Sequence, residues 1–192
     1  ENEIDKESFK KIINWHLKNG TKGIIPCGTT GESPTLSHDE HKLVVELAVK
    51  YSDNQLQVIA GTGSNSTMEA VNFTKHAASV GADSALIVVP YYNKPTQSGL
   101  KDHFLKIADN VDLPIFIYNI PGRSVIDMSD ETIIELSSHE NIIGIKDATN
   151  DLSRPLRLRQ SISHKKFFHR SQSLRQQFHH QLPLAVIFLG RA

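Results

Sequence analysis

Ile142-Ile143-Gly144-Ile145-Lys146-Asp147-Ala148-Thr149 is a short, mostly apolar run that contains one lysine near its end. A run of this length between turn residues predicts a strand that is buried on both faces, as in a parallel sheet. At the end of such a strand, desolvation favours the neutral amine of a lysine, and a neutral amine can form a Schiff base with a carbonyl. Lys146 is therefore a candidate catalytic residue. The alternative is a structural lysine that extends to solvent or pairs with Asp147.

Four more apolar runs precede this one, and each ends at a turn residue. The five predicted strands cover residues 23–27, 57–60, 85–89, 114–118 and 142–146, and are closed by Gly28, Gly61, Pro90, Asn119 and Asp147. Their ends lie about 30 residues apart, which is the length of one βα unit.

Helical patterns fill the intervals between the predicted strands. Ser37 with Glu40, and Ser66 with Glu69, have the spacing of a capping box and predict the starts of two helices. A first helix is predicted over residues 6–18. The alternation of strands and helices predicts an α/β protein with a parallel sheet.

Two architectures have this alternation, an open doubly wound sheet and a closed (β/α)8 barrel. The turn Gly61-Thr62-Gly63 has no third glycine in place, so a dinucleotide-binding fingerprint is not supported. Polar residues recur instead at the ends of several strands, where barrel enzymes build their sites. The chain has 192 residues, fewer than the roughly 250 that are typical of a barrel.

The net charge of zero conceals an asymmetry along the chain. All 21 acidic residues lie within residues 1–151, whereas residues 152–192 contain eight Lys or Arg and no acid. Such a basic end can mark a nucleic-acid-binding tail. The segment also contains Phe167, Phe168 and Phe178 but no RNA-binding motif, so we expect no nucleic-acid partner.

The composition also limits the cellular setting and the metal content. The single cysteine, Cys27, falls in a predicted strand and gives no reason to expect disulfides or a metal site. No signal peptide opens the chain, and the apolar run 184–189 is too short to span a membrane. We therefore expect a cytoplasmic protein without a bound metal or a membrane partner.

Four motifs occur in one order along the chain: Gly28-Thr29-Thr30-Gly31-Glu32-Ser33, Pro90-Tyr91-Tyr92-Asn93, Tyr118-Asn119-Ile120-Pro121-Gly122-Arg123 and Gly144-Ile145-Lys146-Asp147-Ala148-Thr149. Together they resemble the dihydrodipicolinate synthase family, also called 4-hydroxy-tetrahydrodipicolinate synthase, over residues 1–169. The resemblance implies a class I aldolase-type (β/α)8 barrel. It also implies a lyase of lysine (diaminopimelate) biosynthesis that condenses pyruvate with aspartate semialdehyde.

The resemblance assigns roles to the candidate catalytic residues. Lys146 matches the lysine that forms a covalent Schiff base with pyruvate, so no cofactor is expected. Tyr118 matches the acid/base tyrosine, and Thr29 and Tyr92 match its partners in a proton relay. Each of these residues also has a structural interpretation, such as a helix cap for Thr29 or a half-buried ring for Tyr92.

Two further residues match substrate-binding positions of the family. Thr30 matches the group that holds the pyruvate carboxylate, and Arg123 matches the arginine whose planar fork suits the carboxylate of the second substrate. N-acetylneuraminate lyase and other pyruvate-dependent sugar-acid aldolases share the lysine and the tyrosine. Arg123 and the run Tyr91-Tyr92-Asn93-Lys94-Pro95 favour the synthase.

Regulation and assembly are also implied by the resemblance. The positions that match an inhibitory lysine site at a subunit interface are Ser33, His38, His41, Asn65, Glu69 and Tyr91. Family members are homotetramers built as dimers of dimers. Tyr91 and Tyr92 would lie at the dimer interface, with Tyr92 reaching into the site of the neighbouring subunit.

The chain departs from the family pattern at both ends. It begins at the first helix, and residues 165–169 resemble the start of a seventh strand, after which the match to the family ends. We therefore expect a partial barrel over residues 1–169. The expected barrel lacks the first strand and the last one or two strands. Residues 170–192 match no family motif, and we interpret them as a poorly ordered, frame-shifted tail. Open sheet edges would then impair activity, and the alternative to an enzyme is a non-catalytic remnant.

Overall fold

The structure is a computed structural model that describes residues 3–162, 167–171 and 184–186. Seven parallel strands in these ranges form one sheet in the order β6-β5-β4-β3-β2-β1-β7. The strands are β1 (Gly23–Ile25), β2 (Gln57–Gly61), β3 (Ser84–Val88), β4 (Ile115–Asn119), β5 (Ile142–Asp147), β6 (Phe168–Ser171) and β7 (Leu184–Val186).

The first helix precedes β1, and the helices that follow connect the strands from β1 to β6. They are α1 (Lys6–Lys18), α2 (His38–Ser52), α3 (Thr67–Ser79), α4 (Gln97–Ala108), α5 (Pro121–Ser124), α6 (Asp130–Leu136) and α7 (Arg154–Ser161), with short 3-10 turns at Thr29–Gly31 and Ser33–Thr35. Sequential parallel strands joined by helices are the arrangement of an incomplete (β/α)8 barrel.

The two faces of the sheet carry two separate apolar clusters, because successive side chains of a strand point to opposite faces. The larger cluster packs the sheet against the helices and includes Ile24, Ile87, Ile117 and Ile145. The smaller cluster lies on the other face and consists of Ile25, Ile59, Leu86, Tyr118 and Ile120. This second face, the inner face of the barrel, carries the candidate catalytic tyrosine.

The predicted strands are confirmed, with bounds that differ by at most two residues. The largest difference is at β1, which ends at Ile25 rather than at Cys27. Cys27 has a left-handed φ of 53°, and this conformation is incompatible with an extended strand. The first helix, Lys6–Lys18, is confirmed.

One of the two predicted capping boxes is present. Ser37 caps α2 through the bond from Glu40 N to its Oγ at 3.3 Å, and Glu40 Oε2 accepts from Ser37 N at 2.8 Å. The helix start predicted at Ser66 is confirmed, because Ser66 is the N-cap of α3, but its side chain makes no capping hydrogen bond, so the capping box itself is absent. The hydroxyl of Ser64 donates to Glu69 instead and accepts from Ser66 N at 3.0 Å.

The two outer strands come from the end of the chain. The predicted strand at 165–169 overlaps β6, which pairs with β5, whereas residues 165 and 166 lie outside the described residues. The strand β7 pairs with β1, with Ala185 opposite Ile24. Apart from these strands, residues 170–192 lie outside the described part of the chain, and a poorly ordered tail there stays a prediction.

Membrane insertion finds no support in the helices that the structure describes. None of them combines the length and the apolar character that are needed to cross a membrane.

Candidate active site

Tyr118 and Lys146 are neighbours at the carboxyl ends of two adjacent strands. They are register partners in the pairing of β4 with β5, so their side chains leave the sheet on the same face. Lys146 Nζ lies 4.0 Å from the centre of the Tyr118 ring, in the geometry of a cation–π contact. The tyrosine is buried and the lysine is half-buried. The structure thus places an amine and a phenol side by side in a largely dry environment.

A pocket of about 220 Å³ opens beside this pair. Four strand ends and the loops that follow them contribute its walls, of which Leu86, Val88 and Ile120 are apolar. The predicted site residues that line it are Thr29, Ser33, Tyr91, Tyr118 and Arg123. Lys146 is not one of the lining residues, but its amine contacts Tyr118, which is.

The 3-10 turn after β1 carries the two predicted threonines. Gly31 N donates to Gly28 O at 2.9 Å and closes the turn. Thr29 and Thr30 are both exposed on it. Thr29 lines the pocket and Thr30 does not, so the structure brings only the first of the two to the cavity wall.

Tyr92 lies away from the pocket of its own chain. Its side chain is 88% exposed, and its φ of 73° is left-handed, which is rare for a bulky residue. Hydrogen bonds fix the surrounding loop: Asn65 Nδ2 donates to Tyr91 O at 3.2 Å, and Asn93 Nδ2 donates to Asn65 O at 3.1 Å. Within one chain, therefore, Tyr92 does not complete a relay with Thr29 and Tyr118.

Four of the six predicted lysine-site residues line one of two cavities, whereas His41 and Asn65 line neither. Ser33 and Tyr91 line the first pocket. His38 and Glu69 line a second pocket of about 380 Å³ between α2 and α3, where His38 Nε2 lies 2.6 Å from Glu69 Oε1. Burial, followed by the charge of Glu69, raises the pKa of Tyr91, so its hydroxyl remains protonated at neutral pH.

His41 separates these two cavities and lines neither. Its ring stacks on Phe73 with centroids 4.0 Å apart, and its Nε2 donates to Gly61 O at 2.9 Å. Burial lowers the pKa of His41 to about 4, so the ring is neutral at physiological pH. His41 therefore contacts one lining residue of each pocket, Phe73 and Gly61, without lining either pocket itself.

Cys27 also lines the first pocket but is not a candidate nucleophile. Burial raises the pKa of its thiol to about 12, so the reactive thiolate is not populated at neutral pH. Its Sγ lies 3.6 Å from His41 O, in keeping with a packing role.

A buried polar network behind Tyr118 and Lys146 was not predicted from the sequence. Asn119 and Asp147 are 0% and 1% exposed and are joined by a hydrogen bond of 2.9 Å from Asn119 Nδ2 to Asp147 Oδ1. Arg154 of α7 closes the network onto Asp127 and Asp147. The sequence did contain one signal for this network, because Asn119 directly follows Tyr118 and Asp147 directly follows Lys146. Nothing in the spacing of the sequence indicates that Arg154 joins them.

Metal ligands are not clustered in the described residues. Within residues 3–162, 167–171 and 184–186, no group of three or more His, Cys, Asp or Glu is arranged to hold a metal ion.

Parallel β/α units with a lysine and a tyrosine at the ends of adjacent strands define a (β/α)8 barrel of the class I aldolase type. Residues 1–169 match the dihydrodipicolinate synthetase family. The chain belongs to this family.

Curated relatives are similar over most of this chain. The 4-hydroxy-tetrahydrodipicolinate synthase of Pelagibacter ubique is 60% identical over 153 residues, which are 80% of this chain and 52% of the relative. The chain spans about half the length of the curated relatives that it matches.

Solved structures show the same fold. The chloride-inhibited dihydrodipicolinate synthase of Acinetobacter baumannii, complexed with pyruvate, is 45% identical with a TM-score of 0.85, over 88% of this chain and 58% of that one. The enzyme of Cyanidioschyzon merolae with lysine bound is 42% identical with a TM-score of 0.80, over 83% of this chain and 54% of that one.

Proposed function

We propose that this chain provides the catalytic lysine of a Schiff-base lyase that condenses pyruvate with aspartate semialdehyde to 4-hydroxy-tetrahydrodipicolinate in lysine biosynthesis. The observation that carries the proposal is the placement of Lys146 Nζ 4.0 Å above the Tyr118 ring, beside a pocket at the carboxyl ends of the strands. Its relatives of known structure include an enzyme complexed with pyruvate.

The proposed reaction begins at the amine of Lys146. The neutral amine adds to the keto carbon of pyruvate and water leaves, which forms an iminium. The iminium withdraws electrons from the adjacent methyl group, so a methyl proton can depart and an enamine forms. The enamine carbon then forms a bond to the aldehyde carbon of the second substrate, the aldehyde oxygen takes up a proton, and the iminium to Lys146 is restored. The amino group of the second substrate adds to the iminium carbon and expels the amine of Lys146, which closes the ring and releases the product. No cofactor other than the covalent Schiff base takes part.

Tyr118 is the group proposed to move these protons. Its hydroxyl belongs to a ring that contacts Lys146 and lines the pocket, so it lies next to any pyruvate bound to the amine. A positioned acid/base of this kind contributes about 10²- to 10⁴-fold in rate. Thr29 is the partner on the same pocket wall.

Two groups are proposed to bind the substrate carboxylates. The 3-10 turn with Thr29 and Thr30 offers hydroxyls and backbone amides for the carboxylate of pyruvate. Arg123 is exposed at the pocket, and its guanidinium can hold the carboxylate of aspartate semialdehyde in a bidentate fashion. A sugar-acid substrate would place hydroxyl groups rather than a second carboxylate at this arginine, so Arg123 favours aspartate semialdehyde.

Assembly is proposed to complete the site. Tyr92 projects into solvent from a left-handed backbone position, and holding a tyrosine in this way costs about 1–3 kcal/mol. A second copy of the chain would give this exposed ring a place in the neighbouring pocket. We propose a homo-oligomer, a dimer of dimers, which sedimentation velocity can test by comparing the chain with Tyr92→Ala.

Inhibition by lysine is proposed at the cavities around Glu69. The carboxylate of Glu69 borders the second pocket and can pair with an amine, and a relative of known structure has lysine bound. Calorimetric titration with lysine tests this, with Glu69→Gln expected to weaken binding at least about tenfold. The control is Glu135→Gln, at an exposed glutamate of α6 that pairs with Lys101, and equal binding by all three proteins would overturn the proposal.

The experiment that tests the main proposal is borohydride trapping with pyruvate, followed by intact mass and peptide mapping. We expect one reduced pyruvate adduct per chain, located on Lys146. Lys146→Arg removes the adduct, whereas the control Lys94→Arg, at an exposed lysine, leaves it unchanged. A folded chain that forms no adduct would be a non-catalytic remnant. An adduct without consumption of aspartate semialdehyde would instead indicate a related pyruvate-dependent aldolase.

A further inference from the structure

A hydrogen bond joins strands β4 and β5 directly behind the candidate catalytic pair. Asn119 follows Tyr118 and Asp147 follows Lys146, so both side chains point to the opposite face of the sheet. Asn119 Nδ2 donates to Asp147 Oδ1 at 2.9 Å. The two strand ends therefore carry Tyr118 and Lys146 on one face and a side-chain bond on the other.

Asn119 is held from two sides by this network. Its Nδ2 also donates to Asp127 Oδ1 at 2.7 Å, and its Oδ1 accepts from Met128 N at 3.1 Å. Both ends of the amide are thus bonded while the side chain is fully buried. A buried amide with fixed partners adopts one rotamer, which fixes the end of β4.

Asp147 is held in the same way at the end of β5. Its Oδ2 accepts from Thr149 Oγ1 at 2.6 Å, and its Oδ1 lies 3.4 Å from Arg154 Nη1. A buried carboxylate needs such a partner, because an uncompensated buried charge is strongly destabilising.

Arg154 connects the network to the rest of the barrel wall. Its guanidinium forms a bidentate pair with Asp127, at 2.9 Å and 3.1 Å, and its Nε lies 2.9 Å from Asp130 Oδ1. Burial alone would lower the pKa of this arginine, but the three surrounding carboxylates raise it above its ordinary value. The guanidinium of Arg154 therefore stays charged at neutral pH.

We propose that Asn119, Asp147 and Arg154 are positioning residues that set the distance between Tyr118 and Lys146. None of the three lines the pocket, and they act by fixing the two strand ends from behind. The kinetic consequence rests on the proposed function, whereas the geometric consequence does not. A displacement of about 1 Å at a reacting pair can reduce the rate by about a hundredfold.

Three substitutions test the network at different points. Asn119→Ala removes the bond between the strands, Asp147→Asn keeps the shape but removes the charge that faces Arg154, and Arg154→Lys keeps the charge but loses the bidentate fork. The matched control is Thr74→Val on α3. It removes one of two fully buried hydroxyls, those of Thr62 and Thr74, which are hydrogen-bonded at 2.8 Å. Thermal unfolding identifies the variants that remain folded.

The first readout separates binding of pyruvate from proton transfer. Adduct formation needs Lys146, whereas exchange of the pyruvate methyl protons in D2O, followed by NMR, also needs the tyrosine in place. In folded variants we expect the adduct to be retained and the exchange rate to fall about ten- to a hundredfold, with little change in the pyruvate concentration at half-saturation. Arg154→Lys should retain more of the rate than Asn119→Ala. A merely structural role would lower both readouts in proportion to the loss of folded protein.

The second readout needs no activity. With ε-¹³C-labelled lysine, the ring current of Tyr118 shifts the ε-methylene signal of Lys146, which is assigned by its absence in Lys146→Arg. We expect this shift to decrease in Asn119→Ala and Asp147→Asn and to persist in Thr74→Val. Folded variants with an unchanged shift and unchanged exchange would overturn the inference. If the parent chain forms no adduct, the proposed function fails, and the ring-current shift alone decides the positioning role.

Discussion

Lys146 Nζ lies over the face of the Tyr118 ring, 4.0 Å from the ring centre. The same tyrosine also lines the pocket. Under the proposed function, this residue would contribute both a packing surface for the amine and the acid/base group. Substitutions at this position can separate the two contributions.

The substitution Tyr118→Phe keeps the ring but removes the hydroxyl. We expect the pyruvate adduct on Lys146 to form, because the ring still contacts the amine, whereas the exchange of methyl protons slows by about 10²- to 10⁴-fold. Borohydride trapping and NMR in D2O measure the two steps. Tyr51→Phe, in a half-buried tyrosine on α2, is the control and should leave both unchanged. Exchange at the parent rate in Tyr118→Phe would assign the proton transfer to another group.

The buried histidines predict a loss of stability in mild acid. Burial lowers the pKa of His41 and of His103 to about 4, so the unfolded chain binds more protons than the folded chain between that value and about 6.5. Stability is therefore complete above about pH 6.5 and falls as the pH decreases towards 4. Between about pH 7 and pH 5, each histidine should remove roughly 1–2 kcal/mol from the free energy of unfolding.

Urea unfolding at the two pH values measures this effect. His41→Gln should lower the stability at neutral pH, because the stacking on Phe73 is lost, and should reduce the pH dependence by about half. The control is Thr74→Val, which removes a buried hydroxyl but no titratable group and should retain the full dependence. A pH dependence unaffected by His41→Gln would show that His41 does not titrate in this way.

Gly144 predicts a packing limit inside the sheet. A Cβ at this position would lie 2.5 Å from Phe168 O and 2.8 Å from Phe116 Cε1, so Gly144→Ala forces β4, β5 and β6 apart. We expect a loss of about 2–4 kcal/mol in the free energy of unfolding. Gly122→Ala, whose Cβ would meet nothing within 4 Å, should change the stability by less than about 0.5 kcal/mol. Similar unfolding midpoints for the two variants would contradict the packing argument.

The sequence predicted the strands because a buried parallel strand is written as a continuous apolar run. The end of β1 was the exception, since the left-handed backbone of Cys27 has no signature in the residue type. The capping box predicted at Ser66 is absent because another hydroxyl competes for its partner. Ser64 donates to the carboxylate of Glu69, and a rule based on spacing does not consider competing donors.

The sequence also predicted the residues that line the pocket better than those that support them. Lys146 was predicted from its place at the end of an apolar strand, and Tyr118 from the resemblance of its motif to the family, and both stand at strand ends, where barrel enzymes build their sites. Arg154 and Asp127 meet across 27 positions in the chain, and their pairing depends on how α7 packs beside α6. Long-range side-chain pairs of this kind follow from tertiary packing and leave no periodic signal.

The pairing of β7 with β1 predicts a sensitivity to proline. Successive amides of a strand point to opposite sides, so one of the substitutions Leu184→Pro and Ala185→Pro removes an N–H directed at β1, and the other serves as its control. Proline at that position should break the pairing. Hydrogen exchange of the amides of Ile24 and Ile25 measures the result, with faster exchange expected in only one variant. Unchanged protection in both would mean that β7 contributes little to this edge.

The register between Gly23 and Leu184 also has a consequence for the order of folding. Strands β1 to β5 can pair one after another as they leave the ribosome, since each follows its neighbour after one short helix. The edge of β1 must instead wait until residues 184–186 have been synthesised, and closing so long a loop carries the largest entropic cost among the described strand pairings. During that interval the nascent chain presents an unpaired strand edge. Among the described pairings, that of β7 with β1 is thus the last that synthesis makes possible.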